Sequence, residues 1–200
     1  MEKTSVWQRL TDVARSWFRS SPPVVTEATS LRDVARVYPE AIACLKRRFG
    51  VVADNADLSL SLRDLSEKHG LPPAQILYME IQLAARNLRV HELTPKEASA
   101  LRDTEASLIV LDAREPEEWH HHEGIAGAHR CEETILNEVV LGNPPGTPYL
   151  IYCHYGVRSM DLAHWMADQG FTSIYVIKGG LDAWSVQVDA SVPRYDGNYC

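Results

Sequence analysis

Cysteine is sparse in this sequence, and what there is lies scattered. Cys44, Cys131, Cys153 and Cys200 form no Cys-x-x-Cys pair and sit in unrelated surroundings. That excludes a disulfide framework and leaves free thiols in a reducing compartment as the expectation. No run of about 18 apolar residues occurs, so no membrane-spanning helix is expected. The amino terminus has neither a continuous hydrophobic stretch nor a small-residue cleavage site, which argues against a secretory signal and for a cytoplasmic protein. Positive charge is scarce in the second half. Residues 93–200 hold 7 Lys and Arg against 16 Asp and Glu, while residues 1–92 hold 13 against 11. Such an acidic half is a poor partner for nucleic acid. His120-His121-His122 looks like a metal cluster, but adjacent residues cannot all face one ion and no Cys or carboxylate spacing completes a site. The run reads as a solvated helix end, and no metal or cofactor is expected.

What is present is an ordinary globular composition, 45% apolar and 24% charged over 200 residues. That length suits one domain of about 110 residues with a smaller one beside it. Residues 1–22 read as an amphipathic helix and linker. Val6, Leu10, Val13 and Trp17 recur at helical spacing opposite Arg9, Arg15 and Arg19, and Ser20-Ser-Pro-Pro breaks the pattern. Packing on its own protein or on a second subunit is the expected use of this helix; a membrane surface or a partner is the alternative.

Residues 23–92 read as a small helical domain. Ser30-Leu-Arg-Asp33 is a capped helix start, and Ser61-Leu-Arg-Asp64 repeats it 31 residues later. We read the doubling as good capping used twice. Pro39 is expected to open a second helix, stopped by Gly50, and Pro72-Pro73 to lead into a longer one carrying Ile76, Leu77, Met79, Ile81 and Leu83. Cys44, inside the second helix, reads as a small buried apolar residue.

Residues 93–200 change character. Thr94-Pro95-Lys-Glu97 forms a capping box with proline at the first helical position. Ser107–Asp112, Tyr149–Tyr152 and Ile174–Ile177 are short apolar runs of the kind buried in a parallel sheet, with a weaker strand at Gly127–Cys131. Helices are expected at Glu133–Val140, Ser159–Gln169 and around Trp184. The fold class is therefore α/β, an open parallel sheet flanked by helices and preceded by a small all-α domain, with its site beyond the strands' carboxyl ends.

One stretch concentrates the chemistry. The strand ending at Tyr152 runs into Cys153-His-Tyr-Gly-Val-Arg158-Ser159 and then a helix. A thiol there sits among unpaired backbone N–H groups in the positive end of a helix dipole, where cysteine becomes a thiolate nucleophile. The loop His154, Tyr155, Gly156, Val157 can curl its amides toward one centre, with Gly156 supplying backbone freedom. Arg158 is the candidate to hold an incoming anion or to orient the loop, and Ser159 to cap the helix. Asp112 and Arg114 read as a supporting ion pair.

These residues fall into ordered motifs. Asp112-Ala-Arg-Glu-Pro-Glu-Glu-Trp119, Gly124-Ile-Ala-Gly-Ala128, Cys153-His-Tyr-Gly-Val-Arg-Ser159 and Gly179-Gly-Leu-Asp-Ala-Trp184 together resemble the rhodanese (sulfurtransferase) family over residues 93–195. Glu123-Gly124 stands where that family usually has Gly-His. The resemblance implies transfer of sulfane sulfur from thiosulfate or a persulfide donor to a thiophilic acceptor through a Cys153 persulfide. The alternative it leaves is a non-turnover persulfide carrier or sensor serving a protein partner. Four residues separate Cys153 from Arg158, one fewer than in phosphatase-like loops. The narrower cradle suits one sulfur atom better than a phosphate. Cys131 and Cys200 are the candidates to resolve the persulfide as a disulfide. Pro39-Glu-Ala41 and Phe49-Gly-Val-Val-Ala-Asp54 loosely resemble the helical domain that precedes iron–sulfur cluster repair proteins, without its cysteines. Possible partners are a protein sulfur acceptor and a second copy joined through the helical region.

Overall fold

The computed structural model describes residues 25–121, 123–132 and 142–194. The helix expected over residues 5–19 with its linker, the helix expected at Glu133–Val140, His122 and Cys200 lie outside the described residues. Those described divide into two compact units, one of residues 25–88 with 168–170, the other of 89–167 with 171–194. No helix among them is long and apolar enough to cross a membrane.

The first unit is helical: α1 Leu31–Val37, α2 Ala41–Phe49, a 3-10 turn Asp57–Ser59, α3 Leu62–His69 and α4 from Ala74 to Arg89. Leu31, Val34, Leu45, Leu62, Leu65, Leu77 and Ile81 form its core. Gly50 ends α2, which begins at Ala41 and not at Pro39. Ile76, Met79 and Leu83 of α4 are exposed rather than in the core. Both repeated starts are capped. Ser30 Oγ accepts the Asp33 N–H at 3.2 Å and Ser61 Oγ the Asp64 N–H at 3.1 Å.

The doubling does more than cap. Ser30 and Ser61 face each other across an antiparallel bridge, with Leu31 N–H donating to Leu60 O at 2.9 Å and Leu62 N–H to Thr29 O at 3.0 Å. The two helix starts thus supply each other's orphan backbone partners. A four-residue motif shows its own cap but not its pairing with a distant copy.

The second unit runs β1 Val90–Leu93, α5 Pro95–Thr104, β2 Ile109–Asp112, α6 Pro116–His121, β3 His129–Arg130, β4 Tyr149–Tyr152, α7 Val157–Asp168, β5 Ile174–Ile177 and α8 Gly180–Gln187. Its five strands are all parallel, in the order β1-β5-β4-β2-β3. β1 was not expected from the sequence: four residues with a half-exposed pattern carry little periodicity, and pairing with β5 along its whole length is what extends them. The strand carries the unit back to Arg89, ahead of residue 93.

The capping box is formed at Thr94, which starts α5. All four residues of β4 are buried, as befits a central strand with helices on both faces. On one face Leu150, Tyr152, Ile177, Leu181 and Trp184 share a core with Ala98 and Val110. From β2 the chain moves outward to β3, and from β4 it moves the other way to β5. The crevice between the carboxyl ends of β2 and β4 is therefore the switch point of the sheet, where an open α/β fold places its site.

Candidate active site

Two loops meet at that crevice. The one after β2 carries Arg114 and leads into α6; the one after β4 carries Cys153 and leads into α7. Parallel pairing sets Asp112 beside Tyr152, so both side chains stand on one face at the strands' ends. The Tyr152 hydroxyl donates to Asp112 Oδ2 at 2.9 Å and accepts the Ile125 N–H at 3.0 Å. Burial, then the neighbouring Asp112 carboxylate, push the Tyr152 phenol up and keep it a donor. Arg114 grips the same carboxylate, Nη2 to Oδ2 at 2.7 Å and Nε to Oδ1 at 2.9 Å, and is only 1% exposed. Asp112 and Arg114 are thus brought together as a buried pair. Gly124 lies against this network: a Cβ there would come within 2.1 Å of the Tyr152 hydroxyl. The departure at Glu123-Gly124 thus sets a glycine at the position of the family's usual histidine, where this chain has no room for a larger side chain.

The cysteine loop is organised around sulfur. Cys153 is 1% exposed, and its Sγ accepts the Gly156 N–H at 3.2 Å and the Ser159 N–H at 3.4 Å, with Ser159 Oγ at 3.5 Å. These donors stand at the first turn of α7, as an anionic sulfur requires. Ser159 does not cap the helix. α7 begins at Val157, and the Ser159 hydroxyl instead reaches Gly156 O at 3.0 Å and the sulfur.

Arg158 does not point a free cation at the cradle. It forms a two-pronged pair with Glu118 of α6, Nη1 to Oε2 at 2.5 Å and Nη2 to Oε1 at 2.9 Å. Glu118 Oε2 also accepts the Glu115 N–H at 2.7 Å, tying the start of α6 to the cysteine loop. Burial works to raise the Glu118 carboxyl, but Arg158 and the Glu115 N–H outweigh it and hold the group below its ordinary value. Glu118 was legible only as a position in the first motif; its role appears once α6 and α7 are in place. Lowered on folding, it stabilises the fold above about pH 4.5 and loses that contribution as pH falls through the folded value. The stability difference between wild type and Glu118→Gln should therefore be present at neutral pH and vanish in acid. The reactivity of Cys153 toward a thiol-specific reagent at neutral pH should change roughly ten- to hundredfold in the variant, as loss of one charge-assisted pair predicts.

The Gly179-Gly180 motif closes the loop from the other side. α8 donates Leu181 N–H to Cys153 O at 2.8 Å and Asp182 N–H to His154 O at 3.2 Å. A Cβ at Gly180 (φ +60) would lie 2.3 Å from Cys153 O and 2.4 Å from His154 O. Gly180→Ala must displace the cysteine loop and should change the reactivity of Cys153 toward a thiol-specific reagent roughly a hundredfold. Gly146→Ala, with no atom within 4 Å of the added Cβ, should leave that reactivity unchanged.

His154 is buried and stacked on Tyr155, ring centroids 3.8 Å apart. Burial holds its imidazole below the ordinary value despite Glu118 and Asp182, so it is neutral at pH 7. Tyr155 and Val157 form the exposed lip of the loop. Cys131 is buried, and burial followed by Asp112 pushes its thiol up, which makes it a poor resolving nucleophile. Cys44, as expected, is buried in the helical unit. His120 is exposed at the end of α6.

A parallel sheet whose switch point holds a cysteine in a ring of first-turn donors, closed by Gly-Gly and an Asp–Arg pair, defines the class of rhodanese-like domains. Residues 94–187 match the Rhodanese-like domain family, so this part of the chain is a rhodanese-like domain. It is 35% identical over 117 residues to the Rhodanese-like/PpiC domain-containing protein 12, chloroplastic, of Arabidopsis thaliana, spanning 55% of this chain and only 37% of that protein. It is 26% identical over 92 residues to Thiosulfate sulfurtransferase GlpE of Pseudomonas fluorescens, across 46% of this chain and 82% of that one. A rhodanese-like domain protein from Staphylococcus aureus superposes on 52% of this chain and 98% of its own, with a TM-score of 0.42 at 20% identity.

Proposed function

We propose that this protein is a sulfurtransferase that carries sulfane sulfur on Cys153. The observation behind the reading is the ring of donors on Cys153 Sγ, two first-turn amides and the Ser159 hydroxyl. In the first half-reaction the Cys153 thiolate attacks the outer sulfur of thiosulfate or a persulfide. A new S–S bond forms to Cys153 and the donor's S–S bond breaks, its electron pair leaving on sulfite or on a thiolate. In the second, a thiophilic acceptor takes the outer sulfur and the electron pair returns to Cys153. The loop's donors stabilise the anionic sulfur at both ends of the cycle. Arg158, neutralised by Glu118, holds the loop's shape rather than the substrate's charge.

A second reading, a persulfide carrier that serves one protein partner without free turnover, draws on the near-complete burial of Cys153. Steady-state transfer to cyanide, set beside peptide mass analysis of Cys153 after exposure to donor, separates the two. Rapid turnover with a transient gain of one sulfur on Cys153 is the expected result. A lasting adduct with negligible turnover would favour the carrier, and no sulfur on Cys153 from any donor would remove both.

A further inference from the structure

Among the described residues, the arginines in and beside the cysteine loop are matched to carboxylates. Arg158 is forked onto Glu118, Arg114 onto Asp112, and Arg194 onto Asp182, the last with Nε to Oδ1 at 2.8 Å and Nη2 to Oδ2 at 3.0 Å. Glu115 adds a further carboxylate close enough to act on Arg158. His154 brings no charge at neutral pH. Arg130 and Lys178, the other cations at this edge of the sheet, are solvent-exposed, where salt weakens their pull. The surrounding half of the chain is strongly acidic, with 16 Asp and Glu against 7 Lys and Arg. The lip itself is apolar: Tyr155 is 50% exposed and Val157 71%.

Such a mouth is badly matched to thiosulfate. That dianion would shed its water to meet a thiolate, with no uncommitted arginine among the described residues of the site and a repelling field around it. A hydropersulfide, R–S–SH, reacts as a neutral molecule. Its sulfane sulfur can enter the cradle while the carbon side of R lies against Tyr155 and Val157. Resting on the reading of Cys153 as the sulfur-transferring thiol, we propose that the donor is a hydropersulfide and that this site selects against thiosulfate. The step balances without a further reagent. Cys153 thiolate attacks the terminal sulfur of R–S–SH; a new S–S bond joins Cys153 Sγ to that sulfur as a persulfide, and the donor's own S–S bond breaks with its electron pair leaving on R–S⁻.

Loading of Cys153 should be timed by quenched-flow and peptide mass analysis with three donors: thiosulfate, free cysteine persulfide, and a cysteine persulfide within a short apolar peptide. The second-order rate with either persulfide should exceed that with thiosulfate by at least about tenfold, and the thiosulfate rate should rise with added salt as the repulsion is screened. A faster peptide than free persulfide would mark a protein as the source; equal rates would mark a small molecule. Val157→Lys, at a side chain that makes up the exposed lip, should move the thiosulfate-to-persulfide ratio toward thiosulfate by about tenfold. Thiosulfate loading as fast as persulfide, a thiosulfate rate that falls with salt, or a ratio unmoved by Val157→Lys would each overturn the proposal. Failure of all three donors to load Cys153 would instead overturn the sulfurtransferase reading on which it rests.

Discussion

Cys153→Ser should abolish sulfur transfer from every donor, by a factor of about 10⁴ or more, the scale of loss seen when a nucleophile is deleted. Serine is close to isosteric and can still accept from the Gly156 and Ser159 amides that now face Sγ. The loop and the fold around it should therefore survive, with stability changed by less than about 1 kcal/mol. What disappears is the polarisable, readily ionised sulfur. Among the described residues, the groups that face Sγ are hydrogen-bond donors, not bases, so a serine hydroxyl in the same ring is left unactivated. The measurement is turnover with thiosulfate and with cysteine persulfide, alongside a melting curve. Retained turnover on either donor, in a variant that melts like wild type, would sink the Cys153 mechanism outright.

The candidate cysteine and its loop were legible because they are local. A buried strand, a cysteine, a glycine and a helix start follow one another within a dozen or so residues, and each is a short-range signal. The same holds for the capping box at Thr94 and for the long apolar strands β2, β4 and β5. What sequence order could not show is which distant groups close on the loop. Arg158 reads as an anion holder until Glu118, 40 residues earlier in the chain, is seen to fill both prongs of its fork. Ser159 reads as a helix cap until α7 is found to begin two residues before it. β1 is invisible because strand character in four half-exposed residues comes from the neighbour that pairs with them. The doubled Ser-Leu-Arg-Asp is the same lesson: each cap is local, their bridge is not.

The pairing of Arg158 also explains how the site is held in shape. Glu118 is the third helical residue of α6, and its carboxylate reaches back to the Glu115 N–H while it holds Arg158. One side chain therefore fixes the start of one helix and the cysteine loop at the start of another. α8 holds the opposite side through two N–H donors, and Gly180 lets it approach that closely. The cradle is braced from two directions, so it is set in place before any reaction at Cys153.

The largest effect on stability should come from Asp112→Ala. Asp112 accepts from the Arg114 backbone N–H at 3.1 Å, from the Arg114 guanidinium, and from the Tyr152 hydroxyl. Removing the carboxylate leaves a guanidinium that is 1% exposed without its counter-charge, a loss of about 3–5 kcal/mol for a broken buried pair. Because Tyr152 precedes Cys153, the damage should also reach the site. Hydrogen exchange at Ala113 and Ile125, whose amides donate to Tyr152 O at 2.8 Å and to the Tyr152 hydroxyl at 3.0 Å, reads it directly. Both amides should lose protection together with the drop in unfolding free energy. Asp112→Leu combined with Arg114→Met removes both charges, and should cost less than Asp112→Ala alone because no buried cation is stranded. A single variant that costs under about 1 kcal/mol, or a double variant worse than the single, would show that the pair does not hold this end of the sheet.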